Sequence, residues 1–113
     1  MATPVHVICS YRVAKGNEKE FTALLKRHWP LLRELKLATR TRPRHFRGQE
    51  ERDGKPIFFE IFEWADDDAH KLASQHPDLM AIWERMDKLC EARDGRPNME
   101  FPHVTELEVL GKA

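Results

Sequence analysis

The chain has 113 residues, and its 19 Lys and Arg are balanced by 19 Asp and Glu, so the formal net charge is zero. This length suffices for one domain with one buried core. The balanced charge excludes the long-range positive field of a general binder of nucleic acid or of an anionic membrane surface. We therefore predict a single domain over residues 1–113 that binds neither nucleic acid nor membrane.

Cysteine usage indicates a reducing compartment. Cys9 and Cys90 fall in a predicted strand and a predicted helix and lack CxxC spacing, which is typical of free thiols. The first residues lack the basic segment and the apolar run of a secretion signal, and no apolar run reaches membrane-spanning length. We expect a cytoplasmic protein.

The first half of the chain predicts a strand followed by a helix. Residues 5–13 alternate between apolar and more polar side chains, which indicates a strand with one core face. Asn17, with Glu20 three residues later, resembles a capping box and predicts a helix start. The apolar stripe of this helix includes His28. Pro30 is expected to kink the helix and to split it into two pieces.

Turn signals divide the second half. Asp53-Gly54 directly precedes an apolar strand, which predicts a hairpin with the basic strand before it. His76-Pro77 interrupts a helical pattern, and a proline is well placed at the first position of a helix. Residues 101–110 predict a fourth strand.

The resulting order, β-α-β-β-α-β, is that of the ferredoxin-like α+β fold. This fold is an antiparallel four-stranded sheet with both helices on one face. We expect that no other element of the same chain packs on the opposite face of the sheet.

The third strand, residues 55–64, is apolar on both faces. One face carries Ile57, Phe59 and Ile61, and the other carries Phe58, Glu60, Phe62 and Trp64. We expect the aliphatic face to pack on the helices of the same chain. The aromatic face would then meet a second copy of the sheet or a bound ligand.

Two segments resemble the antibiotic biosynthesis monooxygenase-like family of the dimeric α/β-barrel superfamily. They are residues 62–69, Phe-Glu-Trp-Ala-Asp-Asp-Asp-Ala, and residues 74–83, with the His-Pro break before the last helix. The entry to the first helix, residues 11–16, is also similar. The resemblance implies a homodimer in which two sheets pack face to face into a barrel.

The functions of that superfamily include cofactor-free oxygenation of polycyclic aromatics, isomerisation and haem degradation. The haem-degrading members carry an Asn on the first strand and a His in the last helix. This chain has Cys9 and Trp83 at the corresponding places, so we set haem degradation aside.

The uncovered sheet face is expected to form a ligand cleft. An aromatic floor with a few polar groups suits a planar organic molecule. Glu60, set among aromatic rings, should have a raised pKa unless Arg12 or His6 reaches it, and it is the candidate general base, with His6 as a second catalytic candidate. The candidate ligand-binding residues are Ser10, Arg12, Phe58, Phe62, Trp64 and His103. The alternative is that Glu60 pairs with Arg12 and that these side chains fill a dimer interface.

The remaining polar residues give weaker indications of function. The basic run of Arg40, Arg42, Arg44, His45 and Arg47 could hold an oxyanion, but it is more typical of a solvated edge strand. The histidines lack metal-ligand spacing, so we predict no metal and no cofactor. Residues 55–62 loosely match an RNA-recognition octapeptide, but Pro56 and Ile57 replace its glycine and a stacking aromatic.

Two functions of different classes stay open. The first is a homodimeric barrel that binds a small aromatic molecule and acts on it as a cofactor-independent monooxygenase. The second is a non-enzymatic dimer with a role in ligand binding or protein interaction. An open cleft favours the first, and a cleft filled by side chains favours the second.

Overall fold

The structure is a computed structural model that describes residues 3–111. Its elements, in chain order, are β1 (Val5–Tyr11), α1 (Glu18–Glu34), β2 (Arg44–Gln49), β3 (Pro56–Trp64), α2 (Ala69–Ala73), α3 (Pro77–Leu89), β4 (Met99–Glu100) and β5 (His103–Val104). No helix in this described part of the chain is long and apolar enough to cross a membrane.

The sheet is antiparallel and runs in the order β2-β3-β1-β4, with β5 also paired to β1. The long helices α1 and α3 pack on one face, where the core lies between them and the central strands. This arrangement confirms the predicted ferredoxin-like α+β fold.

The last strand is shorter than predicted and is interrupted, so residues 3–111 form five strands instead of four. β4 and β5 both pair with β1 and flank Phe101-Pro102, where the proline has no N–H for a ladder bond. The N–H of Ile8 donates to the carbonyl of Pro102 across this gap at 3.1 Å. Residues 105–111 form no strand, and Leu107 and Leu110 are exposed there. The prediction of a strand up to residue 110 is therefore wrong.

The helix α1 is continuous through Pro30, so the predicted split into two pieces is wrong. A proline removes one backbone hydrogen bond, whereas the apolar stripe of α1 is buried along its length. The predicted start after Asn17 is confirmed. The side chain of Asn17 does not cap α1, however, because its amide donates to the carbonyl of Leu89 at 3.1 Å.

Both predicted turns are confirmed. Gly54, with φ of +71°, lies in the loop that joins β2 to β3, in a conformation that favours glycine. Pro77 is the first residue of α3.

The assignment of the two faces of β3 is wrong. Cys9 of β1 lies opposite Glu60 of β3, and directly opposed residues point to the same side of a sheet. The core face of β1 is therefore continuous with the aromatic face of β3, and the helices of the same chain cover both. The side chains of Phe58, Glu60, Phe62 and Trp64 are buried there.

No helix of residues 3–111 covers the opposite sheet face. Its apolar side chains come from three strands and are half-buried or exposed: Ile8, Phe46, Ile57, Phe59 and Ile61. We call this surface the open face. Its aliphatic and aromatic groups would be unusual on a soluble monomer.

Candidate functional site

A buried carboxylate lies at the centre of the candidate site. Glu60 has no exposed surface. Its Oε1 accepts a hydrogen bond from the hydroxyl of Tyr11 at 2.8 Å and lies 2.9 Å from Nδ1 of His28. Its Oε2 lies 2.9 Å from Nε2 of His45. Three elements, β1, α1 and β2, thus supply one polar partner each to a side chain of β3.

These partners determine the charge of Glu60. Burial on its own raises the pKa of the carboxyl, but His28 and the hydrogen bonds from His28, His45 and Tyr11 outweigh burial and lower it from 4.5 to about 2. The expectation of a raised pKa is therefore wrong, because the sequence does not show which donors meet the carboxylate. Glu60 is an anion at neutral pH.

The second ring nitrogen of His28 is also occupied. The indole N–H of Trp83 donates to Nε2 of His28 at 2.8 Å. An indole nitrogen can only donate, so Nε2 carries no proton in this arrangement. In the neutral ring the proton therefore lies on Nδ1, from where it donates to Glu60.

A cavity of about 160 Å³ lies between the sheet and the helices, next to this cluster. Its lining is almost wholly apolar and aromatic: Val7, Cys9, Tyr11, His28, Phe62, Trp64, His70, Trp83, Met86, Met99 and Phe101. Phe101 is 44% exposed, so this side of the cavity lies at the protein surface. An apolar pocket with a few polar groups is the usual form of a small-molecule site.

The polar groups of the cavity are mainly donors. Burial, together with the charge of Glu60, raises the pKa of both Tyr11 and Cys9, so both keep their protons. Trp64 lines the cavity, and its buried Nε1 has no hydrogen-bond partner among the residues that the structure describes. The lining residues thus include an indole with no partner for its N–H within residues 3–111 and, at His28, a ring nitrogen that accepts.

Some of the predicted ligand-binding residues meet at this cavity. Phe62 and Trp64 line it. His103 lies beside it, with its ring centroid 5.8 Å from that of the cavity residue His70. Phe58 is on the same sheet face but packs against the ring of Phe21 at 5.3 Å instead.

Other predicted site residues lie elsewhere. His6 and Ser10 alternate with the core residues of β1 and so belong to the open face, away from Glu60. His6 pairs there with Glu63 at 2.8 Å. Placing these two residues with Glu60 is wrong, because the prediction reversed the faces of β3.

Arg12 does not reach Glu60 either. Its guanidinium lies 2.7 Å from the carboxylate of Glu100 and 3.4 Å from that of Glu50. The alternative prediction of a pair between Glu60 and Arg12 is therefore wrong. Arg12 ties the end of β1 to the chain that follows α3, where its N–H also donates to the carbonyl of Pro97.

The basic run contributes one residue to the cluster. Every residue of β2 is exposed, as expected for a solvated edge strand. Arg44 and Arg47 lie over the rings of Phe46 and Phe58, at 5.0 and 5.8 Å from the ring centroids. His45 is the member that turns its ring to Glu60.

Three residues of the site, His28, Trp83 and His70, are not among those predicted from the sequence. A signal for His28 was present, because it stands in the apolar stripe of a helix, where a titratable side chain needs a buried partner. Glu60 had the same need. Nothing in the sequence marks the indole of Trp83 as the donor to His28, since Trp83 also fits the apolar stripe of its helix.

Several solved structures share this fold. SnoaB, a cofactor-independent oxygenase from Streptomyces nogalater, matches with a TM-score of 0.68 over 98% of this chain and 100% of its own, at 19% identity. A dimeric ferredoxin-like protein of unknown function from Jannaschia sp. CCS1 also gives 0.68, over 92% and 100% of the two chains, at 15% identity. A candidate antibiotic biosynthesis monooxygenase from Bordetella bronchiseptica gives 0.64, over 92% and 97%, at 15% identity.

No family model and no curated protein matches the sequence. The likeness is therefore one of fold, and it confirms the predicted resemblance to the ferredoxin-like structures of antibiotic biosynthesis monooxygenase-like proteins.

Proposed function

We propose that this protein is a homodimer that binds a small planar aromatic molecule in the cavity of each subunit and oxygenates it without a cofactor. The observation that carries the proposal is the aromatic cavity of about 160 Å³, which has His28 and Trp64 in its lining. Nε2 of His28 is a hydrogen-bond acceptor, and Nε1 of Trp64 has no partner among the described residues. Rings on the cavity wall favour a flat ligand, and the two polar groups can orient its oxygens.

The proposed reaction needs no external reductant. A phenol with a free para position and one O₂ give a quinone and one water, so the substrate supplies all the electrons. The phenol must first lose its proton, because the anion gives up electrons far more readily than the neutral ring. A base beside an apolar cavity is therefore the part that the protein has to supply.

The fold comparisons support an oxygenase more than a purely structural dimer. SnoaB is an oxygenase that works without a cofactor, and it matches nearly the whole chain. The cavity supports ligand binding, but it lies between the sheet and the helices and not on the uncovered sheet face, where the cleft was predicted. A protein that only sequesters its ligand stays the second candidate, since the same cavity would serve it.

The dimer is proposed to form through the open face. Phe59 and Ile61 of β3 lie there beside Ile8, and Phe46 is 43% exposed at the adjacent position of β2. A second copy of the sheet would remove this apolar surface from water by a two-fold contact. The Jannaschia neighbour is a dimeric protein of this fold, which supports the proposal.

The proposed location is the cytoplasm. Cys9 and Cys90 are both free, which suits a reducing compartment. Cell fractionation with an antibody to the native protein tests this location.

Oxygen consumption tests the reaction. Wild-type protein with a panel of phenols should show saturable O₂ uptake with quinone formation. Met99→Trp, which places a large ring in the cavity lining, should abolish the uptake. Leu72→Trp, at an exposed position of α2 outside that lining, should retain it. Saturable binding without O₂ uptake would favour the sequestering protein, and absence of binding would contradict both functions.

A further inference from the structure

We propose that His28 is the general base of the cavity, that it takes the proton of a single-ring phenol, and that Glu60 is the residue that positions it. This inference rests on the proposed aromatic-binding function and specifies its substrate class and its base.

The size of the cavity points to a single ring. An apolar cavity of about 150 Å³ in another protein takes up benzene. The cavity here has about 160 Å³, which corresponds to one ring. A small substituent can project past Phe101, which is partly exposed, whereas two or three fused rings would have to displace the surrounding side chains.

The position of His28 fits a base better than that of Glu60. His28 lines the cavity, whereas Glu60 lies behind it and has each carboxylate oxygen engaged by a histidine. Nδ1 of His28 is committed to Glu60, so Nε2 is the nitrogen that can accept a proton. Glu60 thus fixes both the tautomer and the ring orientation, as a carboxylate does behind a catalytic histidine.

Trp83 holds Nε2 until a ligand arrives. Its indole N–H is 2.8 Å from that nitrogen, and its side chain is half-buried. Binding of a ligand oxygen at Nε2 requires the indole to move outwards. A phenol hydroxyl can enter between the two rings, donate to Nε2 of His28 and accept from the N–H of Trp83. Both polar groups then stay satisfied, now through the ligand oxygen.

The proton transfer is a simple heterolytic step. The phenol O–H bond breaks, the electron pair stays on the ligand oxygen, and the proton bonds to Nε2 of His28. The resulting imidazolium faces the anionic carboxylate of Glu60 at 2.9 Å, which stabilises its charge. The indole N–H of Trp83 then stabilises the phenolate oxygen.

Four other titratable groups surround this pair. Tyr11 and Cys9 of β1 keep their protons, because burial and the charge of Glu60 raise the pKa of both. His70 of α2 lies across the cavity, and its ring stacks near that of Trp83. His45 of β2 contacts the far oxygen of Glu60. Among these groups, His28 is the one that lines the cavity, lies next to a carboxylate and has a ring nitrogen that accepts a hydrogen bond.

The test uses 4-nitrophenol, a single-ring phenol whose anion has its own visible absorption band. Equilibrium dialysis measures binding, and absorbance measures the ionised fraction of the bound ligand across pH. In the wild-type protein the ionisation midpoint of the bound ligand should lie about one pH unit or more below that of the free ligand. Naphthols and larger fused phenols should bind at least about tenfold more weakly.

Variants assign the effect to residues. His28→Gln keeps a donor to Glu60 but removes the basic nitrogen, so the ionisation midpoint should return to the free value or above. Glu60→Gln should raise the wild-type midpoint by about one unit, because the imidazolium loses its counter-charge. The control is His76→Gln, which precedes α3 outside the cavity lining and should leave the midpoint unchanged.

The outcomes separate the two proposals. Absence of 4-nitrophenol binding by wild-type protein would overturn the aromatic-binding function and this inference together. Binding with an unshifted midpoint, or a shift that survives in His28→Gln, would overturn the base role alone. Tighter binding of fused phenols would overturn the single-ring assignment.

A ligand-free measurement gives an independent check. Nitrogen NMR of the histidine rings should show His28 as the neutral ring protonated on Nδ1, the form that the Trp83 N–H requires. In Trp83→Phe the ring should keep this form, because Nδ1 still donates to the carboxylate of Glu60. Protonation on Nε2 in the wild-type protein would overturn the proposal.

Discussion

His45 and Glu60 form a hydrogen-bonded pair across β2 and β3, with 2.9 Å between Nε2 of the ring and Oε2 of the carboxylate. The His45 side chain is 36% exposed, whereas that of Glu60 is wholly buried. The partners on the other oxygen, Tyr11 and His28, are buried as well. His45 therefore connects solvent to a carboxylate that otherwise has contact only with the interior.

The first prediction concerns acid stability. The folded-state pKa of Glu60 is lowered from 4.5 to about 2. Its anion therefore stabilises the fold above pH 4.5, and this contribution is lost as the pH falls from about 4.5 towards 2. Glu60→Gln has no such titration, so its free energy of unfolding should fall less steeply over this window.

Urea unfolding of both proteins at a series of pH values measures the difference. The other carboxyl groups titrate in both proteins, so the difference between the two slopes reports on Glu60. Equal slopes would contradict the assignment of a low pKa to this residue.

The second prediction compares two arginines. Arg93 has a side chain only 3% exposed, bonded to the carboxylate of Glu50 at 2.9 Å and to the carbonyls of Val13 and Pro56 at 2.8 Å. It ties the β2–β3 hairpin to the ends of β1 and α3. Arg93→Met leaves Glu50 with one fewer buried partner and should cost about 3–5 kcal/mol of unfolding free energy.

The matched control is Arg52→Met. Arg52 lies 3.5 Å from Asp94, and both side chains are more than half exposed, so the change should cost about 1 kcal/mol or less. Chemical denaturation of the two variants measures both values. Similar small losses would show that the buried cluster around Glu50 does not stabilise the fold.

The sequence predicts the fold of this protein better than it predicts the site. Local signals such as Asp53-Gly54 and Pro77 act over a few residues, so they placed the turns and the element order correctly. The faces of β3 depend on its register with β1, in which Cys9 opposes Glu60. Both faces of β3 are apolar, so alternation alone does not indicate which one meets the helices.

The site depends on the same long-range pairing. Glu60 and His28 are 32 residues apart, and Trp83 is 55 residues from His28. Taken alone, each of these residues fits the pattern of its own strand or helix and does not indicate a site. A buried acid and a histidine in the apolar stripe of a helix each need a polar partner. Glu60 and His28 could therefore have been predicted to pair with each other.

The third prediction concerns assembly. Phe59 points to the open face, so Phe59→Asp should convert a dimer into a folded monomer by placing a charge in the proposed interface. Phe62 is 2% exposed beneath the helices, so Phe62→Asp should unfold the chain instead. Sedimentation velocity with far-UV circular dichroism distinguishes the two results. A wild-type protein that sediments as a monomer at micromolar concentration would contradict the barrel dimer.

The last prediction concerns ligand selection by Trp64. Its buried Nε1 has no partner in the described part of the chain, so Trp64→Phe removes a donor without breaking a hydrogen bond there. A bound carbonyl group would satisfy this donor, and one such bond is worth about 1 kcal/mol or somewhat more, which is close to a tenfold change in affinity. Two phenols of similar size isolate the effect, since 4-hydroxybenzaldehyde carries a carbonyl and 4-ethylphenol does not. Titration calorimetry should show that Trp64→Phe weakens the aldehyde about tenfold more than the ethyl compound. An equal loss for both would mean that Trp64 acts only through the area of its ring, and that the indole N–H takes no part in recognition.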